Sequence, residues 1–115
     1  MVIRCDEGYL LGWWTPLSWQ SPSSSCFGAD ASTFVFTLTN PAGVPAKYKV
    51  KYAEYALYFS ASFGPTIGVS DLGCNGKAGW TYFPQDYEDM TGRGRETFTG
   101  NYEFQVSEIE VFLPL

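Results

Sequence analysis

The chain has 115 residues, enough for one domain with a core but too few for two. Aromatic residues make up 18% and charged residues only 17%, so apolar side chains are numerous enough to offset the chain entropy, which excludes disorder. The net charge of −5 arises wholly within residues 86–115, where acids outnumber bases by seven to two. This end of the chain repels polyanions, so nucleic-acid binding is excluded as the main role, whereas a basic protein partner is compatible with it.

The cysteines and the lack of histidine limit the chemistry. Cys5, Cys26 and Cys74 are widely spaced and form no C-x-x-C pair, and a zinc site would need all three thiolates plus a carboxylate. We therefore expect buried free thiols in a reducing compartment, with no metal and no cofactor. Catalytic triads with a histidine base are excluded. The residues at the start lack the features of a signal peptide and no apolar run could span a membrane, which predicts a cytoplasmic protein, with nucleus or mitochondrion as alternatives.

The first third of the chain predicts a hairpin and then a loop. Residues 2–15 alternate as two strands around an Asp6-Glu-Gly8 turn, and Gly12 inside the second strand indicates a bulge or a close backbone approach. Residues 16–32 are rich in Ser, Pro and Gly. They predict a loop that Trp19 and Phe27 anchor on the core.

The middle third predicts two strands and a basic edge. Residues 33–38 form the clearest strand, with Phe34, Phe36 and Leu38 on one side, and residues 40–43 have turn chemistry. In residues 47–52 three lysines alternate with apolar residues, which indicates a solvated or edge strand, or else a patch for an acidic partner or lipid headgroups. Residues 54–61 predict a largely buried strand.

The last third predicts short strands and one long one. We expect a tight turn at 63–68, strands at 69–72 and 78–83 with a turn between them, a polar loop at 84–96 with a helical turn at 85–90, and a terminal strand at 97–113. About seven strands without a convincing amphipathic helix predict a mostly β domain, an antiparallel two-sheet β-sandwich with at most short helical turns.

The apolar residues of the terminal strand switch from even to odd positions. Phe104 and Val106 occupy even positions, whereas Ile109 and Val111 occupy odd ones. Side chains alternate with a period of two, so the change requires a β-bulge, or else Glu108 and Glu110 point the same way as Phe104. We expect a bulge or twist at residues 107–108 that buries the two odd apolar residues and presents both glutamates at one edge.

Two acidic groups are the candidate sites. Glu108 and Glu110 would lie on one strand face roughly 7 Å apart, a separation compatible with two-carboxylate catalysis but also found on any outward face. Asp86, Glu88 and Asp89 lack the alternating oxygen ligands of a calcium loop and indicate a solvated acidic loop. We predict no catalytic or metal-binding residue and take these five acids as candidates for partner binding.

Four segments resemble the TLDc domain of the oxidation-resistance protein family. They are Asp6-Glu-Gly-Tyr-Leu-Leu-Gly12, Phe34-Val-Phe-Thr-Leu-Thr-Asn-Pro41, Phe63-Gly-Pro-Thr-Ile-Gly-Val-Ser-Asp-Leu72 and Thr99-Gly-Asn-Tyr-Glu-Phe-Gln-Val-Ser-Glu-Ile-Glu-Val-Phe112. The resemblance implies a β-sandwich flanked by helices, a role in protection against oxidative stress, association with the vacuolar proton-pumping ATPase in several members, and no settled enzymatic chemistry. The chain departs from the family pattern at Ile67, where an aromatic is usual, and in a shortened region at 72–82.

The resemblance covers the C-terminal two-thirds of such a domain, so residues 1–115 are expected to be one TLDc-like domain truncated at its N-terminal end. Loss of covering helices would expose apolar surface, which predicts self-association. A non-enzymatic interaction module is the first functional hypothesis. The alternatives are a carbohydrate-binding β-sandwich, motivated by Trp13, Trp14, Trp19 and Trp80, and a peroxide scavenger that uses Cys5 beside Arg4.

Overall fold

A computed structural model describes residues 1–17, 26–60 and 66–111. This part of the chain is mostly β, as predicted, and its ten strands are β1 Val2–Cys5, β2 Leu10–Trp14, β3 Cys26–Gly28, β4 Phe34–Thr39, β5 Ala46–Lys49, β6 Leu57–Phe59, β7 Thr66–Ile67, β8 Leu72–Asn75, β9 Ala78–Trp80 and β10 Glu103–Glu110. Within the same residues the helical structure consists of two 3-10 turns, Ala53–Tyr55 and Gly94–Glu96. None of their helices is long and apolar enough to cross a membrane.

All pairings are antiparallel and join the strands into one sheet in the order β3-β6-β7-β8-β9-β10-β1-β2-β4-β5. The predicted division into two sheets is not confirmed, because β10 belongs to both halves of this sheet. Its residues 103–105 pair with β9, and residues 106–110 pair with β1. We call β1, β2, β4 and β5 the first half and β3 with β6 to β9 the second half.

One core connects the halves. It contains Ile3, Leu11 and Val35 from the first half and Leu57 and Leu72 from the second. At its centre the rings of Tyr48, Phe83 and Phe98 make edge contacts, with centroids 4.8, 5.4 and 6.0 Å apart. Apolar burial is thus shared by both halves and does not divide into two separate clusters.

The predicted hairpin at residues 2–15 is confirmed, with Val2 opposite Gly12 and Ile3 opposite Leu11. A Cβ atom at Gly12 would collide with the carbonyl oxygen of Met1 and lie 2.9 Å from Cζ of Phe36. Glycine is therefore required here by close approach of the neighbouring backbone and ring, as the sequence indicated.

The strand at 33–38 is also confirmed, and the structure shows which of its sides is buried. Thr33, Val35 and Thr37 face the core, whereas Phe34 and Phe36 are only half-buried on the outside. The inward hydroxyls are satisfied: Thr33 Oγ1 donates to Asp30 Oδ2 at 2.6 Å, and Asn40 Nδ2 donates to Thr37 Oγ1 at 3.0 Å. The aromatic side of this strand is thus available on the surface.

Several predicted elements are wrong in detail. Residues 53–55 form an exposed 3-10 turn, so the buried strand expected at 54–61 is reduced to β6. Of the strand expected at 69–72, residues 69–71 form a turn and only Leu72 belongs to a strand, β8. The helical turn expected at 85–90 is absent, and Tyr87 instead forms a β-bridge with Val50. Phe27 lies in β3 and is 43% exposed, so it does not anchor a loop on the core. Trp19 and residues 63–65 lie outside the described residues.

The bulge in the terminal strand is confirmed. Arg4 pairs with Glu108 and Cys5 with Val106, so Ser107 is the extra residue, and its Oγ donates to the carbonyl of Arg4 at 3.1 Å. The expected burial beyond the bulge is wrong: Ile109 is 42% and Val111 64% exposed, because the core ends before this part of β10. The strand is also shorter than predicted, since residues 97–102 form turns.

Candidate interaction surfaces

The structure exposes both glutamates of the terminal strand. Glu108 lies opposite Arg4 and Glu110 opposite Val2 on the outer face of the first half. The two acids share one side of β10, as their spacing predicted, and line a shallow depression of about 260 Å³ with Val2, Arg4, Leu10 and Leu38. Two carboxylates are thus presented to solvent beside apolar side chains.

The acids of the loop that follows β9 are placed differently from one another. Asp86 is buried, and its Oδ2 accepts a hydrogen bond from the main-chain N–H of Val69 at 2.8 Å. Asp89 is half-buried and accepts hydrogen bonds from the main-chain N–H groups of Thr91, Gly92 and Gly94. Partial burial raises the pKa of Asp89, but these hydrogen bonds outweigh it and hold the pKa below its ordinary value. Only Glu88 of the three has an exposed side chain.

Sequence reasoning did not identify Asp71, the acid that organises this loop. Its buried carboxylate accepts hydrogen bonds from the main-chain N–H groups of Gln85, Asp86 and Tyr87, at 2.8 to 3.2 Å. Burial raises the pKa of Asp71 to about 6, against the effect of these bonds, and the neighbouring Asp86 carboxylate adds to the rise. Asp71 follows a turn in the sequence, where a solvated carboxylate is common, and only the tertiary structure brings residues 85–87 over it.

The lysine-rich segment at residues 47–52 is confirmed to contain an edge strand, since β5 is the last strand in the order of the sheet. The side chains of Lys47, Lys49 and Lys51 are exposed. The Nζ atom of Lys47 lies 4.5 Å from the centroid of the Phe34 ring, a cation–π distance. Part of the free edge of β5 is covered, because the main-chain N–H of Glu88 donates to the carbonyl of Lys49 at 2.9 Å. The lysine side chains stay available on the outer face.

A groove of about 700 Å³ crosses the outer face of the second half. Its walls carry four aromatic rings, and polar side chains lie among them. The lining residues include Phe27, Tyr58, Trp80, Tyr82, Asn75 and Glu103. A Cβ atom at Gly73 would lie 2.5 Å from Cζ2 of Trp80, so glycine leaves the space that the indole occupies. Sequence reasoning named Trp80 but missed the groove, because strands far apart in the chain build it.

The cysteines and tryptophans divide between core and surface. Cys5 and Cys74 are buried free thiols, as predicted, whereas Cys26 is exposed at the groove. Burial of Cys5 leaves its proposed reaction with peroxide without structural support. Trp13 is buried, Trp14 is exposed and Trp80 is half-buried. Among the described residues, no group of three or more His, Cys, Asp or Glu side chains is placed to hold a metal ion.

The sequence profile of one protein family, the TLDc domain, matches residues 1–113. The match spans both halves of the sheet and all ten strands. No curated protein matches the chain significantly. No solved structure does so either.

Proposed function

Since the chain belongs to the TLDc domain family, we propose that it is a non-enzymatic protein-interaction module that acts in protection against oxidative stress. The proposed partner is the vacuolar proton-pumping ATPase, which the family resemblance implies. The single observation that supports a contact on β10 is the exposure of Glu108 and Glu110 on one strand face. A partner surface rich in Lys or Arg would complement them and speed the encounter.

The other acidic candidates are weaker contacts. The Asp86 and Asp89 carboxylates already accept main-chain hydrogen bonds, and a partner would have to compete with these bonds. Glu88 has an exposed side chain next to this loop and serves as a secondary contact in the proposal. The glutamates of β10 can bind without disturbing the fold.

Charge reversal tests the proposed contact. The variant Glu108→Lys/Glu110→Lys is expected to lose capture of proton-pump subunits from a cell lysate under reducing conditions, because attraction to a basic surface becomes repulsion. Circular dichroism would establish that the variant is folded.

The matched control is Glu54→Lys/Glu96→Lys, which makes the same change in net charge at two exposed acids away from β10. It is expected to reduce capture by less than the β10 variant. Equal capture by the wild type and the β10 variant would reject the contact at Glu108 and Glu110.

The groove favours carbohydrate binding as a second candidate function. Aromatic rings such as those of Trp80 and Tyr82 can stack on the C–H face of a sugar ring, and the Asn75 amide and Glu103 carboxylate can bond its hydroxyls. Trp80 and Glu103 are cross-strand neighbours, so an aromatic platform lies directly beside a carboxylate.

A glycan array followed by titration of any hit tests this second function. Trp80→Ala is expected to abolish binding, because it removes the stacking platform, whereas Trp14→Ala removes an exposed tryptophan on the other half and is expected to leave binding intact. An array without hits, or equal binding by Trp80→Ala and the wild type, would reject it.

A further inference from the structure

The outer face of β10-β1-β2-β4-β5 has an ordered pattern of charge and size. Cross-strand partners share a face of the sheet, so the register defines rows that run across the strands. One row contains, in order, Glu110, Val2, Gly12, Phe36 and Lys47. It runs from an acid through small and then large apolar residues to a base, over four strand spacings, or about 19 Å.

Two large apolar side chains of this face are exposed. Trp14 is 42% and Leu38 47% exposed, and the Trp14 ring stacks on that of Phe34 at 5.8 Å. Beside them lies the depression of about 260 Å³ that reaches from Leu38 to Glu110. Contiguous exposed apolar surface of this kind, bordered by charged residues, is typical of protein interfaces.

The two borders carry opposite charges. Glu108 and Glu110 lie on β10, and Lys47 and Lys49 lie on β5 at the other side. Arg4 lies opposite Glu108 and offsets part of its charge, so Glu110, opposite the apolar Val2, is the less compensated acid. A partner that covers the whole face must therefore present a base over β10 and an acid over β5.

We propose that this face binds a second copy of the chain, face to face, around a two-fold axis that runs along β2. Rotation by 180° about that axis exchanges β10 with β5 and keeps every row at its own level. Glu110 then faces Lys47 of the second copy, Val2 faces Phe36, and Gly12 faces Gly12. The row is its own complement in charge and in size, which is the requirement for a two-fold symmetric interface.

The same pattern argues against other arrangements of two copies. If the two faces met with β10 over β10 and β5 over β5, Glu110 would lie over Glu110 and Lys47 over Lys47, and these like charges would repel each other. The large Phe36 side chains would also lie against one another. The reversed arrangement also covers Trp14, Phe34 and Leu38. Glu108 and Glu110 take part in both proposals, whereas Lys47 and Lys49 take no part in the proposed contact with the proton pump and so distinguish the two.

Sedimentation equilibrium of two charge-reversed variants and their mixture tests the proposal. Lys47→Glu/Lys49→Glu and Glu108→Lys/Glu110→Lys should each weaken association by about tenfold or more, because each variant opposes like charges at both ends of the interface. An equimolar mixture should associate as strongly as the wild type, since Glu110 of the first variant then faces Lys47 of the second, and the new base at position 110 faces the new acid at position 47. The fourfold variant that exchanges both sets of charges should likewise form a homodimer.

Matched controls make the same change in net charge at exposed residues outside β10-β1-β2-β4-β5: Lys77→Glu/Arg93→Glu and Glu54→Lys/Glu96→Lys. These should dimerise as the wild type does. A wild type that stays monomeric at its solubility limit would overturn the proposal. A mixture that associates no better than its components would also overturn it, and so would charge-reversed variants that associate as strongly as the wild type. If one of those variants misfolds, association of the fourfold variant decides.

Lys47→Glu/Lys49→Glu also separates this inference from the proposed function. It should weaken the homodimer while capture of proton-pump subunits persists. A wild type that dimerises but captures no proton-pump subunits would instead reject only the proposed partner.

Discussion

At the scale of single residues, exposure separates the three thiols. Cys26 is open to solvent beside the groove, whereas Cys5 and Cys74 are buried in the core. Burial also raises the pKa of Cys74, which reduces its thiolate fraction at neutral pH.

We therefore predict that one thiol of the native protein reacts rapidly with a disulfide reagent and that two react only after unfolding. The measurement is a count of released chromophore with and without denaturant. Cys26→Ser should show no rapid phase. Rapid reaction of a second thiol in the wild type, or of any thiol in this variant, would contradict the predicted order.

Asp71 makes stability depend on pH in an unusual direction. Its pKa is raised to about 6 in the folded protein from 3.8, so the folded state binds the proton more tightly than the unfolded state. This contribution to stability is fully present below pH 3.8 and is lost as the pH rises through about 6. The shift corresponds to about 3 kcal/mol in the free energy of unfolding.

Asp71→Asn should remove most of this contribution, because its side chain stays uncharged across the window. Urea unfolding between pH 4 and pH 7 would measure the slope of the free energy against pH. The matched control is Glu88→Gln, which removes an exposed carboxylate that accepts none of the hydrogen bonds of the Asp71 loop. An identical slope in Asp71→Asn and the wild type would mean that Asp71 is not the titrating group.

At the scale of elements, the bulge in β10 lets apolar residues at even positions before it and at odd positions after it lie on the same face of one strand. Val106 faces the core before the bulge, and Ile109 lies opposite the buried Ile3 after it. Ser107 is the extra residue between them, and the bulge that it forms directs Glu108 and Glu110 to the outer face.

Deletion of Ser107 should accordingly be tolerated, because regular pairing then keeps the same residues on the same faces. The expected loss is about 1 kcal/mol for one hydrogen bond. Deletion of Gln105 should lose about 2 kcal/mol or more, because either Val106 or Phe104 must turn outward. Chemical denaturation measures both deletions. Equal losses, or a larger loss from the Ser107 deletion, would contradict the proposed role of the bulge.

Local patterns explain which elements the sequence could predict. The hairpin of β1 and β2, the strand β4, the lysine edge and the bulge at Ser107 all follow from alternation, turn residues and phase. The buried side of β4 does not, because its inward threonines and outward phenylalanines contact residues distant in sequence, such as Thr15 for Thr33 and Lys47 for Phe34. Tertiary contacts overrode the local preference there.

The candidate surfaces also include some that local sequence could predict and some that it could not. The spacing of Glu108 and Glu110 was sufficient to place them on one face, since they lie two residues apart on one strand. The groove and the Asp71 loop required the positions of residues distant in sequence. Phe27 reaches Tyr58 only through pairing of β3 with β6, and Asp71 reaches residues 85–87 only through the tertiary fold.

At the scale of the whole molecule, β10 holds both halves to one core. It pairs with β9 through Phe104 and with β1 through Ile109. Because the buried residues of both halves form one cluster, neither half has a separate core that could survive alone.

Ile3→Ala in the first half and Leu72→Ala in the second should therefore shift the same unfolding transition. Each removes a fully buried side chain and should lower the free energy of unfolding by about 2–5 kcal/mol. Tryptophan fluorescence and circular dichroism should give coincident curves for both variants. Separate transitions in either variant would show that the halves unfold independently.

The position of β10 also governs how the chain folds as it is synthesised. The strand that closes the sheet lies at residues 103–110, whereas its partner β1, at residues 2–5, is made well before it. Until β10 leaves the ribosome, the edges of β1 and β9 stay unpaired and the outward Phe34 and Trp14 emerge on an incomplete sheet. Strand edges of this kind are the templates for intermolecular pairing. A nascent chain therefore presents these two edges to other chains until β10 has been made.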